Sequence, residues 1–384
     1  MLRIVDRPSN FIIAADQSVI LDFLRAAAAF AVLIGHIKSF LLPNGPHSFP
    51  IKLIFMLIPN GKDAVSIFFV LSGFLVGKAA MQNFAAGADG ARQYVVDRIT
   101  RLHIVLVPAL VLGFVADTLT GSLEISNQIS NTPLGGYGGH SLNQIRAEAV
   151  QNLSLTTFFG NVLGLQTVLV EVFGSNGPLW SLANETWYYI CFPLLLILLT
   201  WQRKERKLVA AALLLLAGVL LPKSIIIGGV LWLAGVATWW LPKIVDRRIG
   251  WAILALALLS HDFLDLNRSG VQHIRFICIA IGVSLVLAGR ARGENEFFTT
   301  TTSLAAGFSA FSYSLYVFHF PMLLLVVAFT EKHVPSLVAN ELAVLPVTIL
   351  IVLIVYAYSY AMYLLFEANY HRVRRGVRTW LAIA

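Results

Sequence analysis

The sequence predicts an all-α, polytopic membrane helix bundle of about ten transmembrane helices, with both termini on the cytoplasmic side. Three observations carry this. Apolar residues make up 58% of the 384 and charged residues only 12%, with a mean hydropathy of +0.77, far from a soluble mixture. Apolar runs of about 20 residues, the length that crosses a bilayer, recur from end to end. The basic residues fall in short clusters between those runs, as orientation in a membrane requires. The net charge of +8 is thereby explained without a nucleic-acid partner.

Taken in order, the spans are expected at 18–42, 63–83, 101–120, 179–201, 208–222, 225–241, 250–264, 273–289, 304–330 and 341–366, each a predominantly apolar stretch. Arg92, Arg98 and Arg101 precede the third span, Arg203 to Lys207 follow the fourth, and Lys243, Arg247 and Arg248 the sixth. Arg290 and Arg292 follow the eighth, and Arg372 to Arg378 the tenth, while the alternate loops hold Arg146, Lys223, Arg268 or Lys332. An N-in, C-in arrangement places every cluster inside. Residues 1–17 then form a retained cytoplasmic segment without a cleavage site, 18–366 the transmembrane domain and 367–384 a cytoplasmic basic tail.

Residues 151–170 are apolar enough to span, yet one more crossing would invert every later loop. Their Asn, Gln, Thr and Gly content fits a re-entrant or protein-buried piece. The glycine run ending at His140 reads as a loop. Cys191 and Cys278 lie inside apolar segments, so no secreted-type disulfide framework is expected.

Ionisable groups within spans mark function by default. Arg25 and His36 are eleven residues apart, about three turns, so they share one helix face about 16 Å apart. Asp22, three residues before Arg25, is a candidate neutralising partner. Ser72-Gly73-Phe74 reads as small-residue helix packing. Arg98 and Arg101 share a face at the cytoplasmic mouth and suit either phosphate binding or ordinary positive-inside anchoring. Gly177-Pro-Leu-Trp180-Ser181-Leu-Ala-Asn-Glu185 opens the fourth span from outside, with Trp180 as an interfacial anchor. Glu185 is expected at a depth comparable with His36. In the ninth span Tyr313, Tyr316 and His319 line one face, and Pro321 should kink the helix. No metal-ligand spacing, nucleophile elbow or phosphate-cradling glycine loop occurs.

These patches resemble the acyltransferase 3 family of bacterial membrane enzymes. The matching stretches are Leu-Asp-x-Leu-Arg25 running to Gly35-His36, Phe-Phe-Val-Leu-Ser72-Gly73-Phe74-Leu, Gly-Pro-Leu-Trp180-Ser181-Leu-x-x-Glu185 and Tyr313-Ser-Leu-Tyr316 leading to His319-x-Pro321, with Arg98-x-x-Arg101 after the second span. Phe23 stands where the family usually has Gly, and Thr186 where a second Glu is usual. The short stretch after the last span leads us to expect the form without a fused esterase-like domain.

The resemblance implies a ten-helix enzyme of the bacterial inner membrane that O-acylates, usually acetylates, a cell-surface carbohydrate or lipid-linked glycan. The donor is acetyl-CoA or another acyl-CoA drawn from the cytoplasm, with no metal. On this reading the donor phosphates lie near Arg98 and Arg101, and Arg25 draws in the thioester. His36 acts as general base or transient acyl carrier, and Glu185 orients it or shares its proton. Trp180, Ser181, Tyr313, Tyr316 and His319 shape the acceptor side. The bilayer is the other partner, and a homo-oligomer is compatible with this reading. Two alternatives stand beside it: a transporter or flippase of a lipid-linked sugar, which lacks only an internal repeat, and an interaction scaffold, which would bury Arg25, His36 and Glu185 without use.

Overall fold

The computed structural model describes residues 12–41, 59–123, 140–242, 244–260, 269–290, 305–335 and 343–381. The described residues form helices, turns and two isolated bridges. The helices are α1 (Ala15–Leu41), α2 (Gly61–Ala85), α3 (Gly87–Ser122), α4 (Leu142–Gln151), α5 (Leu155–Val162), α6 (Trp180–Thr200) and α7 (Lys204–Leu220). After them come α8 (Lys223–Ala237), α9 (Arg247–Leu259), α10 (Ser269–Ala288), α11 (Ser312–His333), α12 (Val344–Leu365) and α13 (Tyr370–Trp380). Expectations placed on residues 1–11, on the glycine run at 135–139 and on Lys243, Arg268 and Arg292 lie outside the described residues.

Eight described helices are long and apolar enough to cross a membrane, and the chain is a multi-pass helical membrane protein. The fifth and seventh expected spans are occupied by α7 and α9, of 17 and 13 residues. At 1.5 Å per residue these reach about 26 and 20 Å, short of the roughly 30 Å hydrocarbon layer. Part of the span expected at 250–264 lies outside the described residues.

The bundle is built around α2. Of its membrane-spanning window 72% is buried, against 17% for α12 at the periphery. Packed on α2 are α1, α3, α6, α8 and α10. Asn60 caps its start, accepting from the Lys62 amide. Within the first turn, Asp63 pairs with Arg275 of α10 at 3.0 Å, both side chains almost wholly buried. Such a pair is costly to break, because the survivor is stranded without solvent. Glycines set how near α8 can come. A Cβ at Gly73 would fall 1.8 Å from the Trp232 carbonyl oxygen, and one at Gly235 would fall 2.0 Å from that of Val70. The small-residue reading of Ser72-Gly73-Phe74 is thus met by the α8 backbone.

The third helix begins fourteen residues before its expected start, at Gly87. Gly87 has φ +83°, which a residue with a Cβ rarely adopts, and it turns the chain directly from α2 into α3. Hydropathy ends the span at the arginines, but the helix continues past them as an amphipathic extension. The basic tail is likewise ordered: α13 lies along this extension, with Arg374 and Arg378 on Asp97.

Residues 142–179 form a re-entrant excursion. Arg146 donates to the carbonyls of Thr120 and Leu123 at the end of α3, while Val162 accepts from His103 Nε2 at 2.9 Å. Seventeen residues of α3 separate Thr120 from His103, so the chain descends about 26 Å between those contacts. Leu155, Phe159 and Leu163 are exposed on one face, and Gly160 and Asn161 are buried on the other. The chain turns at Gly164 and climbs until Ser175 reaches Asp117. Consequently α6 starts inside the bundle, not at the outer surface.

Gly73→Val or Gly235→Val should force α8 from α2 and cost at least about 1–3 kcal/mol. The thermal unfolding midpoint of detergent-purified protein should fall in both, whereas Gly218→Ala, which meets nothing within 4 Å, should leave it unchanged. Midpoints equal to wild type in both valine variants would contradict this packing.

Candidate active site

Where α1, α2, α3, α6 and α11 meet they leave a cavity of about 210 Å³. Its wall carries Arg25, Arg98, Arg101, Glu185, Tyr313 and Tyr316, with Ser72, Ser181 and Tyr189 between them. Sequence spacing could not have joined these groups, because they come from helices far apart in the chain. The volume is below the roughly 300–1,000 Å³ of a site that encloses a drug-sized ligand. It suits one end of an elongated molecule.

The charges in this wall are not equally satisfied. Asp22 forms no ion pair with Arg25 and acts on it only through space; its carboxylate accepts from the Ser309 hydroxyl at 2.8 Å. Arg25 makes no hydrogen bond or ion pair among the described residues. Arg98 makes none either: its guanidinium lies 5.8 Å from the Tyr94 ring centroid, and its buried Nε has no acceptor. Arg101 differs. It donates to Glu367 at 2.6 Å and lies between the rings of Tyr313 and Tyr370, 5.5 and 5.4 Å from their centroids. Glu367, itself 3% exposed, also accepts from the Ser314 amide and hydroxyl at the start of α11. That node binds α3, α11 and the tail together.

Glu185 ends a directed chain of hydrogen bonds. Trp232 Nε1 donates to Ser72 Oγ at 3.1 Å, Ser72 and Tyr189 are 3.1 Å apart, and Tyr189 donates to Glu185 Oε2 at 3.0 Å. Since the tyrosine proton is used on Glu185, the Ser72 proton points to Tyr189. Ser72 and Tyr189 were not marked by sequence reasoning as site residues. The i,i+4 spacing of Glu185 and Tyr189 was the available signal. With Glu367 paired to Arg101, the wall keeps one positive charge in excess on two unpaired guanidinium forks, the donor arrangement that grips phosphate or carboxylate.

His36 lies elsewhere. It is three turns further out on α1 and does not line this cavity. Its ring packs against His319, centroids 5.3 Å apart, and edge-on to Phe320 at 5.0 Å. The expectation that Glu185 lies at the depth of His36 is therefore corrected: Glu185 shares the cavity with Arg25, because α6 starts within the bundle. Trp180 is also not at an outer interface but packs edge-on to Phe69 of α2 at 6.1 Å.

Tyr316 stands between the cavity and the histidines. Its hydroxyl meets Ser181 Oγ at 2.5 Å and the Pro178 carbonyl at 2.9 Å, and its ring lies 6.1 Å from His319. Tyr313 is on the cavity side beside Arg101, donating to the Leu102 carbonyl at 3.2 Å.

Two prolines explain further contacts. Pro321 lacks an amide hydrogen and frees the Val317 carbonyl, which Asn176 takes at 2.9 Å. Pro193 does the same to the Tyr189 carbonyl, which accepts from Tyr94 at 3.3 Å. Thr186, where the resembled family has a second Glu, lies against the turn at Gly164 and not in the cavity wall.

The fold and this site define a membrane-embedded helical bundle with a cationic cavity beside a histidine pair. Residues 19–364 match the acyltransferase domain of the acyltransferase 3 family, and the chain belongs to that family. Among curated proteins it is similar to one from Haemophilus influenzae described as uncharacterized, 25% identical over 138 residues. That alignment covers 35% of this chain and 49% of the relative, so the chain spans about half the length of the curated relative it matches. No solved structure matches the chain.

Glu367→Ala strands Arg101 and the Ser314 amide. A broken buried pair costs about 3–5 kcal/mol, and the lower end applies because Arg101 is 31% exposed. Its thermal midpoint should fall clearly, while Arg98→Gln, which breaks no protein contact beyond the Tyr94 stack, should stay near wild type. Equal midpoints for the two variants would refute the division of labour between the arginines.

Proposed function

We propose that the protein transfers an acyl group from a cytoplasmic acyl-CoA to a hydroxyl of an extracytoplasmic polysaccharide or lipid-linked sugar, most simply as an O-acetyltransferase of the bacterial inner membrane. The observation that carries the reading is the pair of unpaired guanidinium groups, Arg25 and Arg98, on one cavity wall. Unpaired cations inside an apolar bundle are expensive and are worth keeping where an anion comes to meet them. Arg101 lines the same wall, but one of its donors is held by Glu367, so the phosphate-binding role rests more on Arg98 and Arg25.

Length supports the same substrate. The pantetheine arm of CoA has about thirteen chain atoms between phosphate and sulfur, which at roughly 3.3–3.6 Å per three backbone atoms comes to about 15 Å. Arg25 and His36 are about 16 Å apart along α1. A donor whose phosphates meet the arginines therefore has the reach to bring its thioester to His36 past Tyr316.

At that point His36 is the catalytic group. As general base it takes the proton of the acceptor hydroxyl while the oxygen bonds to the thioester carbon. The carbon–sulfur bond breaks, and the CoA thiolate leaves and recovers the proton. Glu185 holds the field around the arginines, Tyr316 and Ser181 form the passage, and Trp180 braces it against α2.

Purified protein in nanodiscs with radiolabelled acetyl-CoA should release CoA, and His36→Ala should lower turnover about 10²–10⁴-fold. Arg98→Gln and Arg25→Gln should raise the donor KM by about tenfold or more, the loss of one charge-assisted contact at about 1.5–3 kcal/mol. Release unchanged in His36→Ala would reject the catalytic assignment. Donor KM unchanged in both arginine variants would reject the anion site.

A further inference from the structure

His319 is 1% exposed, and its two ring nitrogens are in opposite situations. Nδ1 lies 2.8 Å from the Tyr316 carbonyl oxygen and 3.1 Å from that of Leu315. Carbonyls only accept, so Nδ1 carries the hydrogen and the neutral ring presents its lone pair at Nε2. That Nε2 is buried without a hydrogen-bond partner. A buried acceptor left unsatisfied is costly, and the neighbouring ring is His36, with planes inclined at 31°.

The surroundings hold His319 in this state. Its two carbonyl partners belong to its own helix, one turn back. Two residues on, Pro321 breaks the α11 ladder, and Asn176 from the loop before α6 fixes the freed Val317 carbonyl. Phe320 braces His36 edge-on. The tautomer of His319 is thus set by backbone.

We infer that His319 is the positioning residue for His36: its Nε2 accepts the N–H of His36, so that the opposite nitrogen of His36 carries the lone pair that meets the acceptor hydroxyl. The inference rests on the reading of His36 as general base. When His36 takes the hydroxyl proton, its far N–H stays on His36 and the contact to His319 steadies the imidazolium until the thiolate collects the proton. His319 itself gains and loses none. Catalytic hydrogen bonds are often long without substrate and tighten in the reacting complex, and the two ring centroids are already 5.3 Å apart. This assigns to a second histidine the orienting role expected of Glu185, which faces Arg25 instead.

The test uses full-length protein in nanodiscs and two substitutions. In His319→Asn a side-chain amide still reaches the helix carbonyls, but nothing replaces Nε2. In His319→Gln the longer amide can place its oxygen near the lost Nε2. His319→Asn should lower kcat about a hundredfold with donor KM within about twofold, and His319→Gln should recover about tenfold of that loss. Nitrogen-15 spectra of histidine-labelled protein, with the His36 signals identified by their loss in His36→Ala, should show one His36 tautomer in wild type and a mixture in His319→Asn. A kcat for His319→Asn within about threefold of wild type, or an unchanged His36 spectrum, would overturn the pairing. If the wild type itself transfers no acyl group, the functional reading fails, while the spectra still decide the pairing. If His319→Asn does not fold, the His36 spectrum of His319→Gln decides instead: a single tautomer supports the pairing and a mixture overturns it.

Discussion

Inside an apolar bundle every polar group must be answered by the protein itself, because neither water nor lipid will do it. This constraint shapes most of the architecture. Asp63 answers Arg275 where α2 meets α10. Glu367 answers Arg101 and the first amide of α11, and Ser309 answers Asp22. Carbonyls freed by prolines are answered too, Val317 by Asn176 and Tyr189 by Tyr94. Each answer ties together two or more segments distant in sequence, so satisfying polar groups and fixing tertiary structure are one process.

Against that background the unanswered groups stand out. Among the described residues, polar atoms buried without a hydrogen-bond partner occur across the bundle, on Asp117, Arg146, Arg275 and Thr348 among others, and the Nε of Arg98 and the Nε2 of His319 are the ones nearest the cavity and the histidine pair, where Arg25 also has no ion pair. On the proposed function a bound anion completes the arginines and His36 completes His319. Asp63 and Arg275 differ from them in being buried as a direct ion pair.

Hydropathy made the bundle legible, since apolar runs and loop charges depend only on local composition. The re-entrant stretch at 151–170 was legible for the same reason, through its polar content and the parity of the loops. Three features were not. The α3 extension is hidden because charge ends an apolar run without ending a helix. Glu367 reads as part of a basic tail, and only the fold returns it to Ser314 and Arg101. The depth of Glu185 was misjudged because spans are counted from the surface, whereas residues 142–179 carry the chain inward before α6 begins. Arg25, Arg98, Arg101 and Tyr316 were recognisable singly. That they share a wall, and that His36 does not, is helix–helix geometry that no spacing rule contains.

The position of Glu185 then has a physical role of its own. A carboxylate in a site proposed to hold phosphates looks contrary, since it repels the ligand. Yet Arg25 and Arg98 side by side would repel each other and push one fork aside before any anion arrived. A carboxylate across the cavity, making an ion pair with neither and stabilised by the Trp232–Ser72–Tyr189 chain, offsets one charge through space while leaving both forks unoccupied. An ion pair like that of Arg101 with Glu367 would instead consume donors. One carboxylate suffices for this, and a second would make the wall neutral, which explains why Thr186 can face the turn at Gly164 without loss to the cavity. On the proposed function the proton chemistry falls to the histidines three turns away, outside the cavity wall.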